Sequence, residues 1–217
     1  MKRGSVTESR KALYDDYYSN TYVAEGGPDS RWLDSYDKAE NITHLCDAIA
    51  HSSILEIGCG DGAILKRLSD KRFATSFYGL EISQTGVELT RKREIENLIE
   101  CKLFDGYSLP YEDGQFDLTI LSHVVEHVEH PRMLLHEAGR VADHMFVEVP
   151  LEDNYRQKKN YVSNEDKEGH INPYSPTTIR WLLQTSGFDV LKQIVTIPGY
   201  AVFRHSLGRK ALLVYPL

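Results

Sequence analysis

From Ser53 onward the chain alternates short apolar runs with helical patterns, and that alternation limits the folds open to it. SILEIG, SFYGLEI, LIECKLF, FDLTILS and HMFVEVP are short, apolar and rich in β-branched or aromatic residues. Between them, AILKRLSD, the stretch from Ser83 to about Asn97, and PRMLLHEAGRV repeat their apolar residues every three or four positions. Ser83 is a plausible N-cap and Pro131 stands in the first turn of its helix. Strands that alternate with helices build a mostly parallel sheet with helices on both faces. A further helix is predicted over Trp32–Ala50, after an EGGPDS loop at 25–30. SPTTIRWLLQTSGF reads as a last helix, with Ser175 as N-cap, Pro176 at its first position and Gly187 as its stop. From Asp189 the pattern predicts two strands around Pro198 and Gly199, an antiparallel hairpin at the sheet edge.

The chain has 217 residues, enough for one α/β domain with a sizeable core. A net charge of −7 argues against a nucleic-acid backbone as partner. Cys46, Cys59 and Cys101 lack C-x-x-C spacing, so neither a disulfide framework nor a structural zinc site is expected, and a reducing compartment fits. The N-terminus carries no apolar signal region, and no apolar run approaches a membrane span. The expectation is a cytoplasmic enzyme or binding domain, monomer or homodimer, with no membrane partner. Residues 1–31 form an N-terminal lid segment. Its Tyr14, Tyr17 and Tyr18 fall at helical spacing and Tyr22 follows. Their rings either pack or meet a cation. The domain proper runs over 32–217, with a polar, irregular insertion at 151–172 on the acceptor side.

LEIGCGDGAIL joins the first strand to its helix through Gly58, Gly60 and Gly62. Such a loop brings bare backbone close to a ligand. With Ala63 it also fits the dinucleotide fingerprint. Glu81 ends the next strand, where a carboxylate accepts ribose hydroxyls, and to that point NAD and S-adenosylmethionine are level. The other carboxylates separate them. Glu56 lies where it can support a cationic amine. Asp61 stands at the helix N-terminus that a pyrophosphate would need. Asp105 ends the third strand, where it can accept an adenine amino group. Together they favour a cationic ligand over a diphosphate.

These segments, in this order, resemble class I S-adenosylmethionine-dependent methyltransferases. LEIGCGDG at 55–62 is similar to the first motif of that family, YGLEIS at 78–83 to its second, KLFDGYSLPYEDGQFD at 102–117 to its third and FDLTILSHVVEHVEHP at 116–131 to its fourth. GHINPYSPTTIRWLLQTSGF at 169–188 looks like the small-molecule branch, methyltransferase domain 11/23-like. The resemblance implies a Rossmann-like, seven-stranded, mostly parallel sheet with the last strand antiparallel. It implies S-adenosyl-L-methionine as cofactor, S-adenosyl-L-homocysteine as product, and a cofactor site of Tyr22, Glu56, Gly58, Cys59, Gly60, Asp61, Glu81, Ile82, Asp105, Gly106 and Ser122. Cys59 reads as a small spacer near the ligand.

SHVVEHVEHP holds His123, His127 and His130, with Glu126 and Glu129 between them. H-x-x-E-H is an inverted zincin string. A zinc site needs histidines on one helical face, a third ligand and a water. Here Pro131 cuts the segment short, so no metal is expected. A neutral imidazole can instead take a proton near pH 7. His127 and His123 are candidates to orient or deprotonate an acceptor, with loop hydrogen bonding as the alternative, and His170 is a second candidate base. The expected function is methyl transfer to a small-molecule acceptor, at oxygen by preference. Transfer to a small amine, or a non-catalytic cofactor-binding sensor or partner domain, stays open.

Overall fold

The computed structural model describes residues 28–152 and 169–197, with Asp16 besides. In chain order the elements are α1 (Pro28–Cys46), β1 (Ser53–Ile57), α2 (Ala63–Asp70), β2 (Ser76–Glu81), α3 (Gln84–Lys92), β3 (Leu98–Leu103), β4 (Phe116–Ser122), a 3-10 turn (Val125–His127), α4 (Pro131–Val141), β5 (Ala142–Glu148) and α5 (Pro176–Thr185). The strands form one sheet in the order β3-β2-β1-β4-β5, and every pairing is parallel. The chain moves outward from β1 to β3, crosses back, then runs outward through β4 and β5. The order therefore reverses between β1 and β4, and in open α/β sheets that reversal is where ligands bind.

Strand side chains alternate between faces, so each face builds its own core. Leu55, Ile57 and Leu80 pack under α4 and α5 with Leu134, Leu135, Ala138, Ile179 and Leu182. Ile54, Phe77, Leu118 and Ile120 pack under α1, α2 and α3 with Ala39, Ile42, Leu65, Leu68 and Val87. The result is a three-layer α/β/α domain. Arg67 of α2 lies 3.4 Å over the Trp32 ring and donates to the Trp32 carbonyl at 3.0 Å, which fastens α1 to α2.

Local chemistry sets the helix ends. The Ser83 hydroxyl accepts from the Gly86 N–H at 3.2 Å. Ser175 and Thr178 form a reciprocal capping box, with Pro176 in the first turn of α5. At the other end Gly187 has φ 90°. Its N–H reaches the Gln184 carbonyl at 3.1 Å and the Phe188 N–H reaches Leu183, also at 3.1 Å, a Schellman closure.

Several expectations need correction. Helix α1 begins at Pro28 inside the expected loop and stops at Cys46 rather than Ala50. Proline is tolerated in a first turn, so it opened the helix instead of preventing it. Helix α3 stops at Lys92 rather than Asn97, because Glu94 and Asn97 take left-handed φ values of 54° and 62°. Among the described residues the sheet holds five of the expected seven strands. Residues 189–197 carry no strand, and 198–217, with most of the expected hairpin, lie outside the described residues. Of the 151–172 insertion, only its two edges are described, and there Leu151 bridges Tyr174.

Candidate functional site

The loop after β1 is shaped by its neighbours. Gly58, Gly60 and Gly62 have φ of 75°, 59° and 74°, a region that L side chains rarely adopt. A Cβ on Gly58 would stand 2.6 Å from Val124 Cγ2, so this glycine is also needed for close packing against the segment after β4. Glu81 ties the loop to β2. Its Oε2 accepts the Gly60 N–H at 2.8 Å, and its Oε1 accepts the N–H groups of Ile82 at 2.8 Å and Ser83 at 3.0 Å. Burial nonetheless pushes its carboxyl above the usual range. A carboxylate offers about four acceptor positions, so three are taken by the protein's own backbone. Glu81 thus ends β2 against the loop and holds it in shape. That role depends on a contact the sequence does not display.

Glu56 points into the layer under α1 and is buried, and its Oε2 has no hydrogen-bond partner. Burial pushes its carboxyl well up, against the pull of Lys38 and Arg31. Such a group is costly unless a cation or donor meets it.

Asp61 differs from expectation. Its carboxylate is buried, accepts the Ala63 N–H at 3.2 Å and pairs closely with Arg93. The Arg93 guanidinium also donates to the Asp61 carbonyl at 2.6 Å. The charge of Asp61 is therefore compensated from within, and its repulsion of a pyrophosphate cannot decide the ligand. Cys59 likewise turns into the core. Its Sγ lies 3.7 Å from Cys101 Sγ, and that contact together with burial raises its thiol pKa. Its side chain packs in the core with Cys101. Asp105 Oδ1 accepts the N–H groups of Tyr107 at 2.8 Å and Ser108 at 2.7 Å, which folds the turn after β3, and Gly106 there has φ 96°. The Ser122 hydroxyl donates to Glu148 at 2.7 Å, and Glu148 accepts from Asn41 of α1 at 2.8 Å. Ser122 thus serves a link between β4, β5 and α1. Tyr14, Tyr17, Tyr18 and Tyr22 lie outside the described residues.

The segment after β4 gathers the histidines. His123 takes a left-handed φ of 57°, and its N–H extends the sheet ladder to Glu148 at 2.9 Å. Glu126 is fully buried and neither carboxylate oxygen has a hydrogen-bond partner. His123 Nδ1 approaches it to 3.5 Å and His127 Nε2 to 3.9 Å, too far to satisfy it. Burial pushes the Glu126 carboxyl up to about 8. Burial also lowers the His123 imidazole well below its usual value.

At the end of the expected insertion, His170 stacks edge-on against His127, with ring centroids 4.6 Å apart. The Ile171 and Asn172 N–H groups hold the Glu126 carbonyl at 2.9 and 3.0 Å. His170 Nδ1 donates to Glu152 at 2.8 Å, and His127 Nδ1 to the Gly169 carbonyl at 3.4 Å. The structure therefore brings His123, His127 and His170 together around Glu126. His130 stands apart, at the α4 N-terminus beside Tyr107. Sequence reasoning passed over Glu126 and Glu152, although the H-x-x-E-H string contained the first. Glu126, His127 and His170 each offer a ligand atom within 4.8 Å of the others, with the third donor supplied by tertiary contact rather than by one helix face.

A methyltransferase-domain family matches residues 31–193, most of the chain. The chain belongs to that family. Among curated relatives, ajmaline N-methyltransferase of Rauvolfia serpentina is 28% identical over 141 residues, 62% of this chain and 48% of that protein. The chain thus spans about half the length of that relative, and less of several others. Among solved structures, magnesium protoporphyrin IX methyltransferase from Synechocystis PCC 6803, with S-adenosylhomocysteine bound, superposes with TM-score 0.62 at 15% identity, over 84% of this chain and 91% of that one. The cyclase SpnF superposes with TM-score 0.67 at 19% identity, over 88% and 76%. At such identities these two likenesses show the fold alone.

The residues fit the cofactor. A buried carboxylate with an unpartnered oxygen at Glu56 matches a cationic group. The left-handed glycine loop leaves backbone bare, Glu81 ends β2 against it, and Asp105 follows β3.

Proposed function

We propose that this methyltransferase moves the methyl group of S-adenosyl-L-methionine to an oxygen of a small-molecule acceptor. The observation that carries the reading is the packing of the histidine segment on the cofactor loop, with Val124 against Gly58 and His123, Glu126, His127 and His170 beyond it. When bound, the cofactor supplies a methyl carbon on a sulfonium, already an activated leaving group. The chain's own work is alignment and proton handling. Glu56 receives the cationic amine, Glu81 and Asp105 the adenosine, and the glycines let both lie against backbone. His127 donates from Nδ1 to the Gly169 carbonyl, so its basic lone pair lies on Nε2. An imidazole in that tautomer can take the acceptor's proton as the new O–C bond forms and the S–C bond breaks. The partner is a small molecule rather than nucleic acid, in keeping with the net charge of −7.

The relative that methylates ajmaline at nitrogen favours a second reading, transfer to an amine. A panel of small hydroxyl, carboxyl and amine metabolites, incubated with methyl-labelled cofactor, separates the two. Label on oxygen, lost at least tenfold in both His127→Ala and His170→Ala, is the expected result. Label confined to nitrogen, or turnover that survives loss of both histidines, would contradict it.

A further inference from the structure

We infer that Glu126, His127 and His170 form a binding site for a first-row divalent metal ion, beside the cofactor loop. The deciding feature is Glu126. Its side chain is wholly excluded from solvent, both oxygens lack a hydrogen-bond partner, and it points at two imidazoles that stop short of it. A buried carboxylate in that condition is costly in the absence of a cation. One ligand atom from each of Glu126, His127 and His170 already lies within 4.8 Å of the others. Ligand atoms around an ion with bonds of about 2.0–2.1 Å stand roughly 3–4 Å apart, so a small inward rotation closes the set.

The tautomers are set for it. A carbonyl and a carboxylate only accept, so His127 and His170 donate from Nδ1 to Gly169 and Glu152, and the basic lone pair of each ring is on Nε2. Metal-bound histidines are held in this way, the second ring nitrogen anchored to a carbonyl or carboxylate. Two imidazoles and one carboxylate suit zinc, cobalt, nickel or iron better than magnesium or calcium, which prefer oxygen donors. Three protein ligands leave positions open, and His123, near Glu126, stands beside them. The existence of the site does not depend on the function proposed above. Its role rests on that function: with the ion bound, the metal would hold the acceptor oxygen and lower its pKa, and the His127 Nε2 lone pair would act as base only in the metal-free protein.

The test uses the full chain, stripped with chelator and titrated with zinc by calorimetry and with cobalt by visible absorption. Binding of S-adenosylhomocysteine is measured separately on the same samples. The expected result is one equivalent of zinc with a dissociation constant in the micromolar range or tighter, proton release, and a cobalt ligand-field spectrum. Glu126→Gln and His170→Ala should each weaken zinc at least tenfold while S-adenosylhomocysteine affinity stays within about twofold. Retained cofactor binding shows that the variants fold, and the cobalt spectrum of the unsubstituted chain stands without any variant. No stoichiometric binding, or binding unaffected by both substitutions, would overturn the site. Failure of S-adenosylhomocysteine to bind would instead count against the cofactor reading.

Discussion

Glu56 carries opposite predictions for the empty and the liganded protein. Its folded-state pKa is raised well above the ordinary value of 4.5 by burial. The folded state therefore keeps a proton that the unfolded chain has already lost. The associated stability is complete below the ordinary value and is lost as pH rises from there through the raised one. Glu56→Gln should make the cofactor-free protein more stable at pH 8 than the unsubstituted chain, with the advantage vanishing by pH 4, read from urea midpoints. The same change should weaken S-adenosylmethionine, whose amine loses its counter-charge. A variant less stable at pH 8, or one that binds cofactor unchanged, would remove Glu56 from this role. Gly58 makes a one-directional case. Its φ of 75° and the 2.6 Å approach of Val124 oppose any side chain. Gly58→Ala should cost about 2–4 kcal/mol and disturb both the loop and the histidine segment. A melting temperature equal to that of the unsubstituted protein would contradict the packing described.

At the scale of elements, α5 tests whether the histidine cluster depends on the helix behind it. Ser175→Ala removes the capping box and should cost about 1 kcal/mol, seen in thermal or urea unfolding, while S-adenosylhomocysteine affinity is unchanged. Gly139→Ala places a methyl 2.6 Å from the Phe188 ring and should cost about 1–3 kcal/mol between α4 and the end of α5. The elements themselves were largely legible. The strands β1, β2 and β4 and the helices α2, α4 and α5 lie where apolar period and caps place them, because period and capping are local chemistry. The misses were ends and partners. Proline at 28 began a helix that a loop signal seemed to exclude, since a first turn accepts it. The sequence sets Asp61 at a helix N-terminus but does not display Arg93, which pairs with it, nor the contact of Cys59 with Cys101. The H-x-x-E-H string was visible, but its partner His170 comes from another part of the chain, and only the fold brings them together. Long-range pairings leave no periodic trace.

Across the whole molecule, one reversal of strand order sets where chemistry can occur. The β1 and β4 ends meet there, so the glycine loop and the histidine segment share one edge of the sheet. With Asp61 compensated by Arg93, the proposed preference for a cationic adenosine ligand over a dinucleotide rests on Glu56, Glu81 and Asp105 and on family membership. Among the described residues, no helix is long and apolar enough to cross a membrane. The most direct measurement is calorimetric titration of the purified chain with S-adenosylhomocysteine, S-adenosylmethionine and NAD, repeated with Glu81→Ala. The account predicts saturable one-to-one binding of the first two, none of NAD, and at least a tenfold loss with the substitution. NAD binding without S-adenosylhomocysteine binding would contradict it.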